Sequence, residues 1–261
     1  MEIEKLGAPL GARITGLDVR DVDRATFDEI NALFCRHKVL VFPAQTLTPE
    51  EQIAFASRWG DPVRHPYAGM DDYPEIIELS NRGKRKDINQ HWHTDMSYNP
   101  RPPKLTMLYA LEAPSIGGDT AFANQVLAFE DLSAGLKATL LDMRAVHSAA
   151  DLAGVYGESA GEAPRAEHPV IRTHDETEEK ALYVCRAFTQ RFVDWSRTES
   201  AGLLETLYQH SIRPEYQARQ VWQAGDLVMW DNRSVLHFAV HDHADEPRRI
   251  HRLQVEGPVP A

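Results

Sequence analysis

Between Asp23 and His37 the apolar side chains Phe27, Ile30, Leu33 and Phe34 recur at the spacing of one helix face, which predicts an amphipathic helix. The unbroken apolar run Val39 to Phe42 then predicts a short buried strand. Thr48-Pro49-Glu50-Glu51 has the form of a helix start, with Thr48 as cap, Pro49 in the first turn and Glu51 completing a capping box; Gly60 is the expected stop. Asp61 to Tyr73, rich in Pro, Gly and aromatic residues, reads as a loop, and Glu75 to Leu79 as a strand. The basic stretch Asn81 to Asp87 reads as a solvated turn.

Further along, Gln90 to Tyr98 reads as a strand running into a turn, and Leu105 to Leu111 as another strand. The glycine-containing turn Pro114 to Asp119 delivers Thr120 to the start of the next. Gln125 to Arg144 is mainly helical by periodicity. Ala149 to Glu167, small and acidic without period, is the candidate flap. Val170 to Arg172 and Ala181 to Cys185 form a predicted hairpin across the polar turn Asp175 to Lys180, and Ser200 to His210 is amphipathic. Gln217 to Trp222, Leu227 to Trp230 after the Gly225-Asp226 turn, and Arg248 to Val255 complete the strands. Many short strands with turn signals and a few helices predict a mainly β fold, a sandwich or jelly roll with helical additions. Neither a linker nor a repeat divides the chain, so residues 1–261 are expected to form one domain.

Composition narrows the function classes. The chain has 261 residues, 43% hydrophobic and 26% charged, with a formal net charge of −11. That charge argues against a nucleic-acid partner, which needs clustered positive charge, and means that any bound anion must be held by local basic groups. Two cysteines, Cys35 and Cys185, fit a reducing, cytoplasmic setting better than a disulfide scaffold. The N-terminal stretch carries Glu2, Glu4 and Lys5 and no uninterrupted apolar run, so neither a signal peptide nor a membrane span is expected there.

The candidate chemistry begins at HWHTDMSY, where strand alternation would place His93 and Asp95 on one face. One imidazole and one carboxylate with a second histidine would make the two-histidine, one-carboxylate set of non-haem Fe(II) oxygenases. Taken alone, His-x-Asp is more often a surface pair or a satisfied buried histidine. The second histidine is sought in WDNRSVLHFAVHDH, where His237, His241 and His243 are alternatives that periodicity does not rank. Downstream, Arg248 and Arg252 share a strand face with Ile250, whereas Arg249 and His251 face away. Two inward guanidiniums would be costly to bury unless anions satisfied them, so the pocket expects a carboxylate, which an Arg fork matches with two parallel hydrogen bonds. The bland alternative is a surface strand paired with Asp242 or Glu246.

With these segments in order, together with LVFPAQTLTPEEQIAFASRWG, PSIGGDTAFAN, HPVIRTH, ALYV, GDLVMWDNRSVLH and RRIHR, the chain resembles the taurine dioxygenase/TfdA-like family of Fe(II)- and 2-oxoglutarate-dependent oxygenases from about Gly16 to the C-terminus. The resemblance implies a double-stranded β-helix, or jelly roll. It implies His93, Asp95 and His237 as catalytic iron ligands, and Thr120 and Arg248 on the distal carboxylate of 2-oxoglutarate. Arg252 is then placed near the carboxylate bound to iron. Fe(II) is the implied metal, with 2-oxoglutarate and O2 as cosubstrates and succinate and CO2 as coproducts. The presence of Asp95, where halogenating relatives carry a small residue, favours hydroxylation. Asn89, His65, Tyr67 and Phe188 are the expected substrate wall, with Arg186, Arg191 and His65 in segments able to reach the entrance. The expected substrate is a small organic anion such as a sulfonate, an aryloxyalkanoate or a related carboxylate; a homo-oligomer is left open, and neither nucleic acid nor membrane is an expected partner. Two other classes compete: a zinc hydrolase on the same triad, which gives Thr120, Arg248 and Arg252 no task, and a non-catalytic jelly-roll binding module, which needs no triad.

Overall fold

Val39 to Phe42 is buried at every position because its sheet is covered on both faces. The computed structural model describes residues 1–65, 68–81, 91–150, 163–243 and 246–261. Its strands are β1 (Glu2–Lys5), β2 (Ala12–Thr15), β3 (Val39–Phe42), β4 (Ile76–Ser80), β5 (Leu105–Glu112), β6 (Thr120–Asn124), β7 (Arg144–Ser148) and β8 (Arg165–Pro169), followed by β9 (Ile171–Thr173), β10 (Lys180–Leu182), β11 (Thr189–Phe192), β12 (Gln217–Gln220), β13 (Leu227–Asp231), β14 (Val235–Ala239) and β15 (Arg249–Val255). Seven of them form the large sheet, in the order β1-β2-β3-β13-β5-β15-β4, and a smaller sheet runs β12-β6-β14.

Period-two alternation assigns the two faces of the large sheet. Leu40, Phe42, Met107, Tyr109, Leu227, Met229 and Leu253 pack with Ile30, Phe34 and Phe55 of helices α1 (Arg24–His37) and α2 (Pro49–Ala56). Val39, Val41, Leu108, Ala110, Val228, Trp230 and Ile250 point the other way, onto Phe122, Ala218 and Val235 of the small sheet. This two-sheet sandwich with helices on one outer face is a jelly roll, the fold expected from the sequence. β6 pairs with both β12 and β14, placing Thr120 opposite Gln220 and Ala239. A third sheet, β11-β7-β8, and the β9-β10 hairpin flank the sandwich with α3 (Gln125–Glu130), α4 (Ala134–Leu140) and α5 (Arg197–Ser211).

The capping box at Thr48 forms as expected, with Pro49 in the first turn, but α2 ends at Ala56 and the chain turns through Ser57 to Gly60 before continuing. The predicted helix Gln125 to Arg144 is two helices: Ser133 caps the second by accepting from the Leu136 amide, and Arg144 already begins β7. Of the expected flap, residues 151–162 lie outside the described residues, while Arg165 to Glu167 belong to β8 and are paired along β7. Most of the basic stretch Asn81 to Asp87 also lies outside them. Both cysteines are free thiols. Among the described residues no helix is long and apolar enough to cross a membrane.

Candidate active site

Of the segment expected to be a strand running into a turn, Gln90 to Tyr98, the described residues 91–98 form the turn, but the strand is reduced to one bridge. His93 makes a single antiparallel bridge, its amide donating to the His237 carbonyl at 3.1 Å and the His237 amide donating back at 2.8 Å. The chain then curls into a turn in which Met96 takes a left-handed φ of 48°, uncommon for a residue other than glycine. The ladder is replaced by side-chain bonds: Thr94 Oγ1 donates to the Asn232 carbonyl at 2.7 Å, and the Asp95 amide approaches Asn232 Oδ1 at 3.4 Å. His93 and Asp95 converge because the turn brings them round, and not by strand alternation.

His237 enters from β14, inward-facing beside Phe122 of β6, and is presented by the tight β13-β14 turn. A buried ion-pair lattice fixes that turn. Asp231 accepts from the Arg233 amide and guanidinium through Oδ1 and from Arg233 Nη2 and His174 Nε2 through Oδ2, at 2.8 to 2.9 Å. Burial alone would raise the Asp231 carboxyl, but Arg233 and His174 hold it far below the usual carboxylate range. Arg233 in turn reaches Asp175 and Glu176, so its charge is matched.

The convergence is tight. His93 Nε2 lies 3.7 Å and His237 Nε2 3.8 Å from Asp95 Oδ1, and among the described residues these three are the cluster of donors within 4.8 Å of one another. Two donors each about 2.1 Å from one ion are at most about 4.2 Å apart, so both separations are compatible with a shared metal. His93 Nδ1 is 2.9 Å from the His91 carbonyl, which fixes Nδ1 as the protonated nitrogen and turns the Nε2 lone pair to the site. His91 thus contributes its backbone, while its side chain stays exposed. Burial pushes both imidazoles below their ordinary range, against the pull of Asp95. Burial works to raise Asp95, but Arg252, the two histidines and Thr106 outweigh it and keep the carboxylate ionised. Neutral imidazoles beside an ionised carboxylate are the protonation states a divalent metal needs. His241 and His243 stand apart from the cluster: His241 is exposed, and His243 is buried against Gly118.

Sequence reasoning missed the residues that orient Asp95. Thr106 Oγ1 donates to Asp95 Oδ2 at 2.6 Å and accepts from Asn232 Nδ2 at 2.9 Å and Gln254 Nε2 at 3.2 Å, while Trp230 Nε1 donates to Asn232 Oδ1 at 2.9 Å. The available signal was a polar residue facing inward from otherwise apolar strands: Thr106 in LTMLYALE and Gln254 in RIHRLQV, both fully buried. Thr106→Val keeps the volume but removes the donor, so it should weaken Fe(II) binding by about 10- to 100-fold, as loss of such outer partners typically does. Metal titration of the folded variant checks this, and unchanged affinity would show that Asp95 is held by other means.

Around the triad, Arg252 Nη2 lies 3.7 Å from Asp95 Oδ1, and its buried Nε has no hydrogen-bond partner among the described residues. Arg248 immediately precedes β15, and its side chain lies on the side of the sheet that Arg252 faces. Its Nε donates to the Gly118 carbonyl at 3.3 Å, and its guanidinium sits 5.9 Å from the centre of the Trp222 ring. Arg249 faces the other way and pairs with Glu112 at 3.1 Å and Glu78 at 3.4 Å. Thr120, at the start of β6, accepts from Trp222 Nε1 at 3.0 Å.

Of the expected substrate wall, Phe188 packs edge-on against His93 at 5.9 Å between ring centres. His65 lies within the field of the site: burial, then the Arg252 charge, lower its pKa to about 4 despite Asp95. Asn89 and Tyr67 lie outside the described residues. Arg186 and Arg191, expected in segments able to reach the entrance, both have partners within the protein. Arg186 pairs with Glu205 at 2.6 Å and lies over Tyr208, and Arg191 Nη1 donates to the carbonyls of Phe192 and Trp195, because both start in a segment packed against α5.

Comparisons with known proteins identify the chain's family. The family described as taurine catabolism dioxygenase TauD, TfdA family, matches residues 2–254. An alkylsulfatase of Acinetobacter baylyi is 36% identical, the alignment covering 99% of this chain and 86% of that protein. An alpha-ketoglutarate-dependent sulfate ester dioxygenase of Pseudomonas putida is 34% identical over 100% of this chain and 91% of its own. The crystal structure of a putative alpha-ketoglutarate-dependent taurine dioxygenase from Burkholderia xenovorans superposes with a TM-score of 0.90 at 33% identity, covering 100% of this chain and 94% of that one. The chain belongs to the TauD/TfdA family of dioxygenases.

Proposed function

We propose that this protein is an Fe(II)- and 2-oxoglutarate-dependent dioxygenase that hydroxylates a small organic anion, with alkyl sulfate esters and sulfonates the leading classes. The observation that carries the reading is the buried convergence of His93, Asp95 and His237 beside Arg252, whose Nε is left without a partner among the described residues. The two Nε2 atoms and one Asp95 oxygen would hold the iron. Arg252 would take the 2-oxoglutarate carboxylate nearest the metal, and Thr120 with Arg248 the distal one. When bound, iron and 2-oxoglutarate supply the oxidising chemistry, in which O2 is consumed, 2-oxoglutarate becomes succinate and CO2, and one oxygen atom enters the substrate.

The chain's own residues bind, orient and exclude. Phe188, edge-on to His93, walls the site against water, and His65 is a neutral group near neutral pH able to donate to an anionic head without a charge of its own. Asn89 and Tyr67 complete the proposed substrate wall. The names of the Acinetobacter and Pseudomonas relatives favour sulfate esters. Hydroxylation of the carbon bearing the ester oxygen replaces C–H by C–OH. The C–O bond to sulfate then breaks with its electron pair leaving on sulfate, the hydroxyl proton is lost, and an aldehyde remains. A zinc hydrolase would need neither O2 nor 2-oxoglutarate and leaves Thr120, Arg248 and Arg252 idle.

Coupled succinate release tests the substrate class. Alkyl sulfates, alkylsulfonates, taurine, aryloxyalkanoates and amino acids are assayed beside neutral analogues of the same chain lengths. At least one anion should drive stoichiometric succinate formation and yield the hydroxylated product or its fragments. Coupled turnover with a neutral compound and none with any anion would refute the proposed class.

A further inference from the structure

Trp222 touches both groups to which the proposed function gives the distal carboxylate of 2-oxoglutarate. Its indole edge donates to Thr120 Oγ1 at 3.0 Å, and its ring face lies 5.9 Å from the Arg248 guanidinium, within cation–π range. Trp222 and Thr120 are 3% and 2% exposed. The Thr120 backbone is held between Gln220 and Ala239 of the neighbouring strands, so the hydroxyl cannot move far.

A threonine hydroxyl has one hydrogen to give and lone pairs to accept with, whereas an indole N–H only donates. The bond from Trp222 therefore occupies a lone pair of Thr120 and leaves its hydrogen to be given elsewhere. No described residue takes it. A buried donor without an acceptor is costly to leave unmet. An anionic oxygen beside Thr120 would meet it, and Arg248, carried on the same indole, supplies the charge such an oxygen needs.

We infer that Trp222 is a positioning residue for cosubstrate selection: its N–H presets Thr120 as a donor and its face steadies Arg248, so that 2-oxo acids bearing a second, distal carboxylate are favoured over those lacking one. This rests on the reading that Thr120 and Arg248 meet the distal carboxylate of 2-oxoglutarate.

Calorimetric titration of the Fe(II)-loaded protein under anaerobic conditions tests it, with 2-oxoglutarate and with 2-oxobutyrate, which has the same keto-acid head and no distal carboxylate. Trp222→Phe keeps a ring and loses the N–H, so its Kd for 2-oxoglutarate should rise about three- to tenfold, the usual range for one neutral hydrogen bond, with 2-oxobutyrate binding unchanged. Thr120→Val should show the same selectivity, and the double variant should bind 2-oxoglutarate no more weakly than Thr120→Val alone. If Thr120→Val weakens 2-oxoglutarate binding and Trp222→Phe does not, the role of Trp222 falls while the Thr120 assignment stands. Equal weakening of both acids in Trp222→Phe would mean general damage and also overturns it. Unchanged binding in Thr120→Val would remove the Thr120 assignment and this inference together. Should Trp222→Phe not fold, the indole N–H resonance perturbed by Thr120→Val is followed in the Zn(II)-loaded protein. It should shift with 2-oxoglutarate and not with 2-oxobutyrate, and indifference to both overturns the inference.

Discussion

Alanine at His93 or at His237 is expected to abolish Fe(II)-dependent turnover while leaving the chain folded. Each replacement removes one of three protein donors that meet within 4.8 Å, and no other described histidine, cysteine or carboxylate joins the cluster to replace it. The fold should survive because the bridge tying His93 to His237 is made by backbone amides and carbonyls, which alanine retains. The Asp95 turn is held independently, through Thr94, Thr106 and Asn232. Circular dichroism establishes folding, succinate release measures turnover, and metal analysis reports bound iron. Full activity in either folded variant would remove that histidine from the iron site.

The second large effect separates two adjacent arginines. Arg248→Ala should weaken 2-oxoglutarate binding at least tenfold, and Arg249→Ala far less. Truncating one side of a buried, hydrogen-bonded charge pair typically costs about 2–5 kcal/mol, and about 1.4 kcal/mol is already a factor of ten. Arg248 reaches Gly118 and Trp222, next to Thr120. Arg249 is spent on Glu112 and Glu78 at a half-exposed edge of the large sheet, where ion pairs contribute only about 0–1 kcal/mol. Calorimetry on the two iron-loaded variants checks this, and the reverse ranking would show that the strand register has been misread.

The side to which Arg248 turns is legible in the sequence, whereas the way Asp95 reaches His93 is not. The two neighbours part although β15 begins only at Arg249 and its pairing with β5 shifts register between Arg249 and Ile250: Arg249 turns to Glu112 and Glu78, and Arg248 to Gly118 and Trp222, the side that Ile250 and Arg252 share. At His93 strand alternation predicted convergence for the wrong reason. Only one bridge forms there, and the approach of Asp95 comes from a turn whose left-handed Met96 and Asn232 contacts have no signature in local pattern. The capping box at Thr48 was readable because all its parts lie within four residues. The split of Gln125 to Arg144 was not, because a single serine cap interrupts an apolar period that otherwise continues. The partners of Arg186 and Arg191, Glu205 and the Phe192 and Trp195 carbonyls, are not legible for a related reason: they are set by the packing of α5, which a charge count does not reveal. The polar residues behind Asp95 needed tertiary contacts to be recognised, since Thr106 and Gln254 lie on different strands and meet only in the sandwich.

The central claim is that one site holds Fe(II) and 2-oxoglutarate together. Anaerobic titration of the metal-free protein with Fe(II) and then 2-oxoglutarate, followed by calorimetry and visible absorption, tests it most directly. One Fe(II) should bind per chain, and 2-oxoglutarate should then bind once, raising the weak visible charge-transfer band of a chelated 2-oxo acid, with little binding when iron is omitted. Tight binding of 2-oxoglutarate without metal, or iron binding with no absorption change on adding 2-oxoglutarate, would contradict it.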